Sequence, residues 1–463
     1  MKKRIALVFP RLKYPGGDFS LGLAYVGAYL RKHVADLELS LIDTTYHPRL
    51  DHVRERLRVL QPDIVGIYTD TLMYEDAVKV AAICKQHGAQ VILGGPHATL
   101  LPESTIANAE VDAICLGEGE ETAREYLECF YGERDFERVR GIWFKRGGAV
   151  VRNQPRAPVA DLDSLPFPAV DLFETERYIE AFVQLDSYKP NLRGMSLIVS
   201  RGCPFRCTYC QPTLTSLFGA KVRMRSPRNV VDEIKELKAR FNLGAFYFQD
   251  DTLTVYGSWL REFCALLIRE SVGIVWACNT RADTWSIELL TLMKQAGLVK
   301  LKVGIESVTD RIRNGIYEKN VTLDQITGLI REANALGIQV AGFFMLGAPT
   351  ETLPEIRDTI RFAVRSGLAE ANFNITTVLP GTFLEARARE CGWLLPETTG
   401  GCDYYKVSRP GLAAGDLSPK RLERLRRTAV LLFYLRPGRL MPIVRSLFTG
   451  MGVRRLLIKL RRF

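Results

Sequence analysis

Ser196-Leu-Ile-Val-Ser200-Arg-Gly-Cys203-Pro-Phe-Arg-Cys207-Thr-Tyr-Cys210 runs from a short apolar stretch into a loop carrying three closely spaced thiols. Ser196 to Ser200 reads as a β-strand. Further strand candidates follow at Ala245 to Gln249, Ile274 to Asn279, Val299 to Ile305, Gln339 to Met345 and Ala371 to Val378. Helical stretches fill the intervals: Pro227 to Phe241, Ser258 to Glu270, Ile287 to Ala296, Leu323 to Leu336 and Leu353 to Ser366. Such βα repeats predict a partial or full parallel barrel, (β/α)6. The thiol loop then stands at the C-terminal end of the first strand, where parallel barrels build their sites.

Upstream, strands at Ile5 to Phe9, Leu37 to Ile42, Ile64 to Tyr68, Gln90 to Leu93 and Ala113 to Leu116 alternate with helical stretches such as Leu21 to His33, Pro48 to Leu60 and Tyr74 to His87. Strict alternation predicts an α/β, doubly wound, Rossmann-like sheet. The expected organisation is a first domain over residues 1–140, a proline-bearing linker with a small hairpin over 141–191, the barrel over 192–385, and a helical basic extension over 386–463.

The net charge of +11 is uneven. From Lys420 to Phe463 there are 13 Lys/Arg against the single acid Glu423, a local +12, so the rest of the 463 residues sums to −1. The basic character belongs to one tail. The N-terminal Met1-Lys2-Lys3-Arg4 leads into an apolar stretch that stops at Pro10-Arg11. That is too short for a signal peptide, and no apolar run approaches the roughly 20 residues of a membrane span. A cytoplasmic protein is expected, with its ten cysteines reduced or metal-bound rather than paired.

Cys84, Cys115, Cys129, Cys264, Cys278, Cys391 and Cys402 are scattered; Cys203, Cys207 and Cys210 are bunched. Iron–sulfur clusters are held by cysteine thiolates, and three of them can bind three irons of a cubane while the fourth iron stays open. The alternatives are a zinc site or plain core cysteines. A structural zinc site takes four ligands, and His33, His47, His52, His87 and His97 all precede the loop, so a fourth ligand would be a distant Cys or a carboxylate. Arg223 and Arg225 could grip carboxylate or phosphate, or line a solvated basic loop.

The CxxxCxxC spacing with Tyr209 before the last cysteine closely resembles the signature of the radical S-adenosylmethionine enzymes. The resemblance runs from about Ser196 to Thr382. It implies a 4Fe-4S cluster on Cys203, Cys207 and Cys210, S-adenosylmethionine on the open iron, and a 5′-deoxyadenosyl radical. It also assigns S-adenosylmethionine contacts to Tyr209, to Gln249, Asp250 and Asp251 ending the second strand, to Asn279 and Arg281 after the third, to Glu306 and Ser307 after the fourth, and to Gly347 after the fifth.

In an open parallel sheet, ligands bind beyond the carboxyl ends of the strands. The loops standing there are Pro15-Gly16-Gly17, Tyr68-Thr69-Asp70-Thr71, Gly94-Gly95-Pro96-His97 and Gly117-Glu118-Gly119-Glu120, whose glycines allow close backbone approach. With a radical domain downstream, residues 1–140 resemble the cobalamin-binding domain of cobalamin-dependent radical S-adenosylmethionine enzymes. That resemblance implies cobalamin contacts at Gly16, Gly17, Thr69, Asp70, Thr71, Gly94, Gly95, His97, Gly117, Glu118 and Gly119. The DxHxxG motif that supplies a lower cobalt ligand is absent, because Asp43-Thr-Thr-Tyr-His47 has the wrong spacing. His97 is expected to touch the corrin edge or to be a structural loop histidine. A scaffold without cofactor is the bland alternative.

The resemblance implies a methyltransferase acting on an unactivated carbon of a small-molecule or lipid-like substrate, fed by an external electron donor of flavodoxin or ferredoxin type. The rival keeps both cofactors but closes a ring or rearranges the substrate, as the family's anaerobic porphyrin cyclases do. A non-catalytic cobalamin or redox sensor is the reading from another class. Cys278 is read as a hydrogen donor or, more simply, as a buried thiol. In the tail, Leu422, Leu425, Ala429, Leu432 and Phe433 recur at helical spacing among arginines, and Val453 to Phe463 is basic and apolar. The tail is expected to cap the barrel or to lie on the inner face of an anionic membrane; nucleic acid is disfavoured for want of interleaved aromatics.

Overall fold

A computed structural model describes residues 2–13, 17–132, 135–395, 411–415 and 417–440. The chain forms two compact units: Met1–Tyr178 with Thr213–Arg223, and Ile179–Pro212 with Met224–Phe463.

The first unit is built on strands β1 (Lys3–Phe9), β2 (Leu37–Asp43), β3 (Ile64–Tyr68), β4 (Gln90–Gly94), β5 (Ala113–Cys115), β6 (Ile142–Arg146) and β7 (Ala149–Arg152). Their order in the sheet is β2-β1-β3-β4-β5-β6-β7, parallel from β2 to β5 and antiparallel over the last two pairs. Alternation at period two sends side chains to opposite faces. Ala6, Val8, Val65 and Val91 enter one core, while Ile5, Ile64 and Ala113 enter the other. Both faces are therefore covered by helices, as a doubly wound sheet requires. The expected hairpin of 141–191 is β6–β7. It extends this sheet because Ile142 and Phe144 feed one core and Trp143 the other. The order reverses between β1 and β3, so the loops after those strands open at the switch point where such sheets take ligands.

The second unit holds β8 (Gly194–Leu197), the two-residue strands β9 (Ser200–Arg201) and β10 (Arg223–Met224, shared at the division of the units), and β11 (Ala245–Phe248), β12 (Val275–Thr280), β13 (Leu298–Glu306), β14 (Gln339–Leu346) and β15 (Glu370–Ile375). β8 and β11 to β15 pair in sequence order, all parallel, as an open half-barrel. The first strand departs from the expected Ser196 to Ser200. It breaks after Leu197 because the buried Asp250 carboxylate accepts from Val199 N at 3.1 Å and Ser200 N at 2.5 Å, so those donors leave the ladder. The last strand ends at Ile375, short of Val378, and Thr377 Oγ1 turns back to donate to Ile375 O at 3.1 Å.

Helix Pro419–Tyr434 belongs to the second unit and buries Leu422, Ala429, Val430 and Phe433. Tyr434 Oη donates to Ala371 O at 3.1 Å, so the helix lies along β15. This part of the tail caps the half-barrel, while Leu431, Leu432 and Leu435 remain exposed. The stretch Val453 to Phe463 lies outside the described residues. Among the described residues no helix is long and apolar enough to cross a membrane.

Gly347 follows β14 with φ +81, and a Cβ there would stand 2.3 Å from a Leu422 methyl. The Gly347→Ala variant should lose about 1–3 kcal/mol through overpacking and left-handed strain. Thermal unfolding checks this: adding Leu422→Ala should then cost less than it does in the parent chain, because the clash has gone.

Candidate functional site

The thiol loop is held by backbone. Cys210 N and Gln211 N both donate to Cys207 O at 3.0 Å, Thr208 N donates to Tyr317 O at 3.0 Å, and Thr208 Oγ1 donates to Ile316 O at 2.8 Å. Cys207 is buried, with Cys203 and Cys210 half-buried. Burial and then the negative neighbours Asp251 and Cys207 push the Cys210 thiol up, joined by Glu306. Burial leads again for Cys203, followed among anions by Asp251 and Cys207. Thiols so placed keep their protons until a cationic centre displaces them. Three thiols on one loop are the donor type that an iron–sulfur cluster takes, and Cys203, Cys207 and Cys210 supply them.

Arg281, just past β12, lies against that loop. Its Nη1 donates to Cys207 Sγ at 3.5 Å, and its guanidinium carbon sits 3.7 Å from the centre of the Phe205 ring. Nε and Nη2 grip Asp283 at 2.9 and 3.0 Å, and Nη2 also reaches Lys319 O at 2.6 Å. At the end of β13, Lys319 Nζ donates to Glu306 Oε1 at 2.8 Å and to Tyr209 Oη at 3.2 Å, and Tyr209 Oη donates to Glu306 Oε1 at 2.9 Å. Glu306 stands at φ +62, where the β13–β14 register shifts. Gly304 makes room for the trio, since a Cβ there would meet Glu306 Oε1 at 2.3 Å and Lys319 Nζ at 2.8 Å.

Several residues expected at S-adenosylmethionine do other work. Asp250 is spent on Val199 and Ser200. Asn279 accepts from Tyr247 Oη at 2.8 Å and donates to Asp250 O at 2.9 Å. Ser307 is fully buried against Thr359, 3.3 Å away, and accepts from Thr309 N at 3.2 Å. Gly347 lies under Leu422. Gln249 donates its backbone N–H to Leu197 O at 2.8 Å and is half-buried. Asp251 has an open surface, yet surrounding protein and then the Asp250 charge push its carboxyl up to about 6. Cys278 is a fully buried thiol. Lys319, Phe205 and Asp283 had no signal in the sequence beyond the short Arg281-x-Asp283 spacing.

In the first unit, Thr69 N donates to Gly94 O at 2.8 Å and Asp70 Oδ1 caps Met73 N at 2.8 Å. Gly95 has φ +108, and a Cβ there would stand 2.8 Å from Thr69 O. Gly117, at φ +72, donates its N–H to Thr99 Oγ1 at 2.9 Å, and Gly119 precedes helix Glu120–Phe130. These turns, with Gly17 at φ +102, place backbone at the carboxyl edge, as a planar ligand needs. Gly16 lies outside the described residues. Glu118 is not free for a ligand: its buried carboxylate holds Arg223 at 2.5 Å and accepts from Val159 N at 2.7 Å. Arg223 is thus an internal partner, as is Arg225, which pairs with buried Glu233.

His97 is buried, stacks on Tyr74 at 3.9 Å, and has Nδ1 3.4 Å from Thr71 Oγ1. Burial holds its ring down to about 4. The unfolded chain takes up a proton near pH 6.5 and the folded chain only near 4, so this residue's share of stability is present above pH 6.5 and lost as pH falls toward 4. That share is roughly 3 kcal/mol. Buried Glu351, pushed up to about 7 by burial, acts in the opposite sense. The test is therefore a difference: His97→Phe, which keeps the stack, should flatten the pH 4–6.5 slope of stability against the parent chain.

Comparisons with known proteins follow the same division. The radical SAM superfamily model matches residues 197–363 and the B12 binding domain model matches 13–127. An uncharacterized methyltransferase of Pyrococcus horikoshii is 30% identical over 422 residues, spanning 90% of this chain and 88% of that protein. The anaerobic magnesium-protoporphyrin IX monomethyl ester cyclase of Rubrivivax gelatinosus is 30% identical over 394 residues, 81% of this chain and 68% of that protein. The solved radical S-adenosylmethionine methyltransferase TsrM of Kitasatospora setae, with cobalamin and a 4Fe-4S cluster bound, shares the fold at TM-score 0.76 and 16% identity, covering 100% of this chain and 99% of that one. With both domain models in chain order and a relative at 30% identity over nearly its whole length, the chain belongs to the cobalamin-dependent radical S-adenosylmethionine enzymes.

Proposed function

We propose that this enzyme methylates an unactivated carbon of a small-molecule or lipid-like substrate, with Cys203, Cys207 and Cys210 each holding one iron of a 4Fe-4S cluster. The carrying observation is the backbone-anchored thiol loop after the first half-barrel strand, in a chain with a near-full-length relative named as an uncharacterized methyltransferase. When bound, the cluster, S-adenosylmethionine and cobalamin supply the radical and the methyl group. The chain positions them. Asp250 fixes the break between β8 and β9 from which the loop departs, and Asp251 offers an open carboxylate suited to a ligand's ammonium group. Tyr209 in the thiol loop and Gln249 after β11 are read as further contacts to S-adenosylmethionine, and the Gly94-Gly95 and Gly117–Gly119 turns are read as giving a corrin close backbone approach. The reductant is read as a flavodoxin or ferredoxin of the cytoplasm. Peripheral membrane contact would rest chiefly on 441–463, outside the described residues.

Ring formation is the second reading, favoured by the Rubrivivax relative. The anaerobically reconstituted enzyme should be given cobalamin, a low-potential reductant, methyl-labelled S-adenosylmethionine and a hydrophobic metabolite extract. Methyl transfer predicts S-adenosylhomocysteine and 5′-deoxyadenosine together, with a product carrying the labelled methyl. 5′-Deoxyadenosine with neither S-adenosylhomocysteine nor labelled product would sink methyl transfer and leave the cyclase reading.

A further inference from the structure

We propose that Arg281 is a positioning residue that sets the reduction potential of the cluster by donating a hydrogen bond to Cys207 Sγ; the proposal rests on the reading of Cys207 as an iron ligand. Arg281 follows a strand end where the family resemblance implies a contact to S-adenosylmethionine, but the structure commits it elsewhere. Its Nε–Nη2 edge, the one that grips a carboxylate with two parallel bonds, is closed by Asp283. Nη2 is further held by Lys319 O, and one face is stacked on Phe205. Nη1 is left to meet Cys207 Sγ in a buried contact.

The segment that supplies Lys319 O is itself specialised. Glu318 and Asn320, on either side, take φ +49 and +55, conformations a non-glycine residue adopts at a cost. The turn thus aims the Lys319 carbonyl at Arg281 and the Lys319 ammonium at Glu306. The guanidinium is fixed by neighbours on three sides, which surface arginines are not.

A cluster that initiates radical chemistry takes up one electron from a low-potential donor, with no bond formed or broken. The added negative charge spreads over the sulfurs. A permanently charged guanidinium bonded to one of them stabilises the reduced form more than the oxidised form, and hydrogen bonds to the sulfurs and local charge are what set such potentials. Asp283, with its side chain 21% exposed, offsets part of that charge from the far side. The two residues therefore push the potential in opposite directions.

The test is an EPR-monitored redox titration of the reconstituted full-length protein without substrate. Arg281→Gln should make the cluster at least tenfold harder to reduce, a fall of about 59 mV for one electron. Arg281→Lys should fall between Gln and the parent. Asp283→Asn, which leaves Arg281 on Phe205 and Lys319 O, should move the midpoint upward. Loosened packing alone would move all three variants the same way. An unchanged midpoint in Arg281→Gln, or same-sign shifts in Arg281→Gln and Asp283→Asn, overturns the proposal. Should Arg281→Gln fail to load iron, Asp283→Asn and Arg281→Lys decide it by the same criterion. A parent chain that takes up no cluster at all overturns the cysteine reading, and this proposal with it, and is recognised by silence in every sample.

Discussion

Cys207→Ala is expected to abolish the iron–sulfur absorbance of the reconstituted protein and to drop reductive S-adenosylmethionine cleavage to the background of the reductant alone. The loop does not depend on the sulfur for its shape, since Cys207 contributes its carbonyl to Cys210 N and Gln211 N while Thr208 is tied to Ile316 and Tyr317. Alanine keeps all of these bonds and gives up the contact that Arg281 Nη1 makes to Cys207 Sγ, a cost of about 1–3 kcal/mol in the apo chain, so the variant should still fold and the loss of the cluster is chemical. Cys203→Ala and Cys210→Ala should behave alike, because each leaves the cubane only two of its three protein thiolates. The control is Cys264→Ala. Cys264 is fully buried inside helix Gly257–Arg269, its thiol pushed up to about 12 by burial, and its loss should leave iron content and cleavage at parent levels. Iron and sulfide analysis beside 5′-deoxyadenosine release measures each outcome. Full iron in Cys207→Ala would overturn the cluster assignment.

What could be read from the sequence was what is local. Leu21–His33, Ile64–Tyr68 and Pro227–Phe241 have the bounds that periodicity predicts, because apolar spacing, caps and breakers lie within the elements themselves. The thiol loop was legible for the same reason, its ligand set being packed into a few residues. Ser307 and Gly347 could not be placed from the sequence, because polar or glycine residues after a strand look alike whether they face a ligand or a packing partner. Their neighbours Thr359 and Leu422 come from far along the chain. Glu118 looked like part of a glycine-rich ligand loop, yet its partner Arg223 comes from a distant segment that packs into the first unit. Lys319 left no trace at all. A lysine in a polar loop normally reads as solvated, and this one reaches Glu306 only because a π-helical turn at Arg311–Ile316 and two left-handed residues swing it inward.

Lys319→Met should therefore be the most damaging single change to stability near the site, costing roughly 3–5 kcal/mol. The Lys319 and Glu306 side chains are only 5% and 7% exposed. Two ions so buried gain little over a well-packed apolar pair, but removing one leaves the other charged and without its counter-ion in a poor solvent. Tyr209 Oη can still donate to the Glu306 carboxylate, which replaces a dipole but not a charge. The measurement is a double-mutant cycle by denaturant unfolding of the apo chain. Lys319→Met and Glu306→Gln should each destabilise, and the pair together should cost clearly less than the sum, since the double variant buries no lone charge. Strict additivity would mean that the 2.8 Å contact carries no coupling. Gly304→Ala offers an independent route to the same state, because its methyl group would press directly on Glu306 Oε1 and Lys319 Nζ. Its cost should shrink in the Lys319→Met background, where one of the atoms it meets is gone.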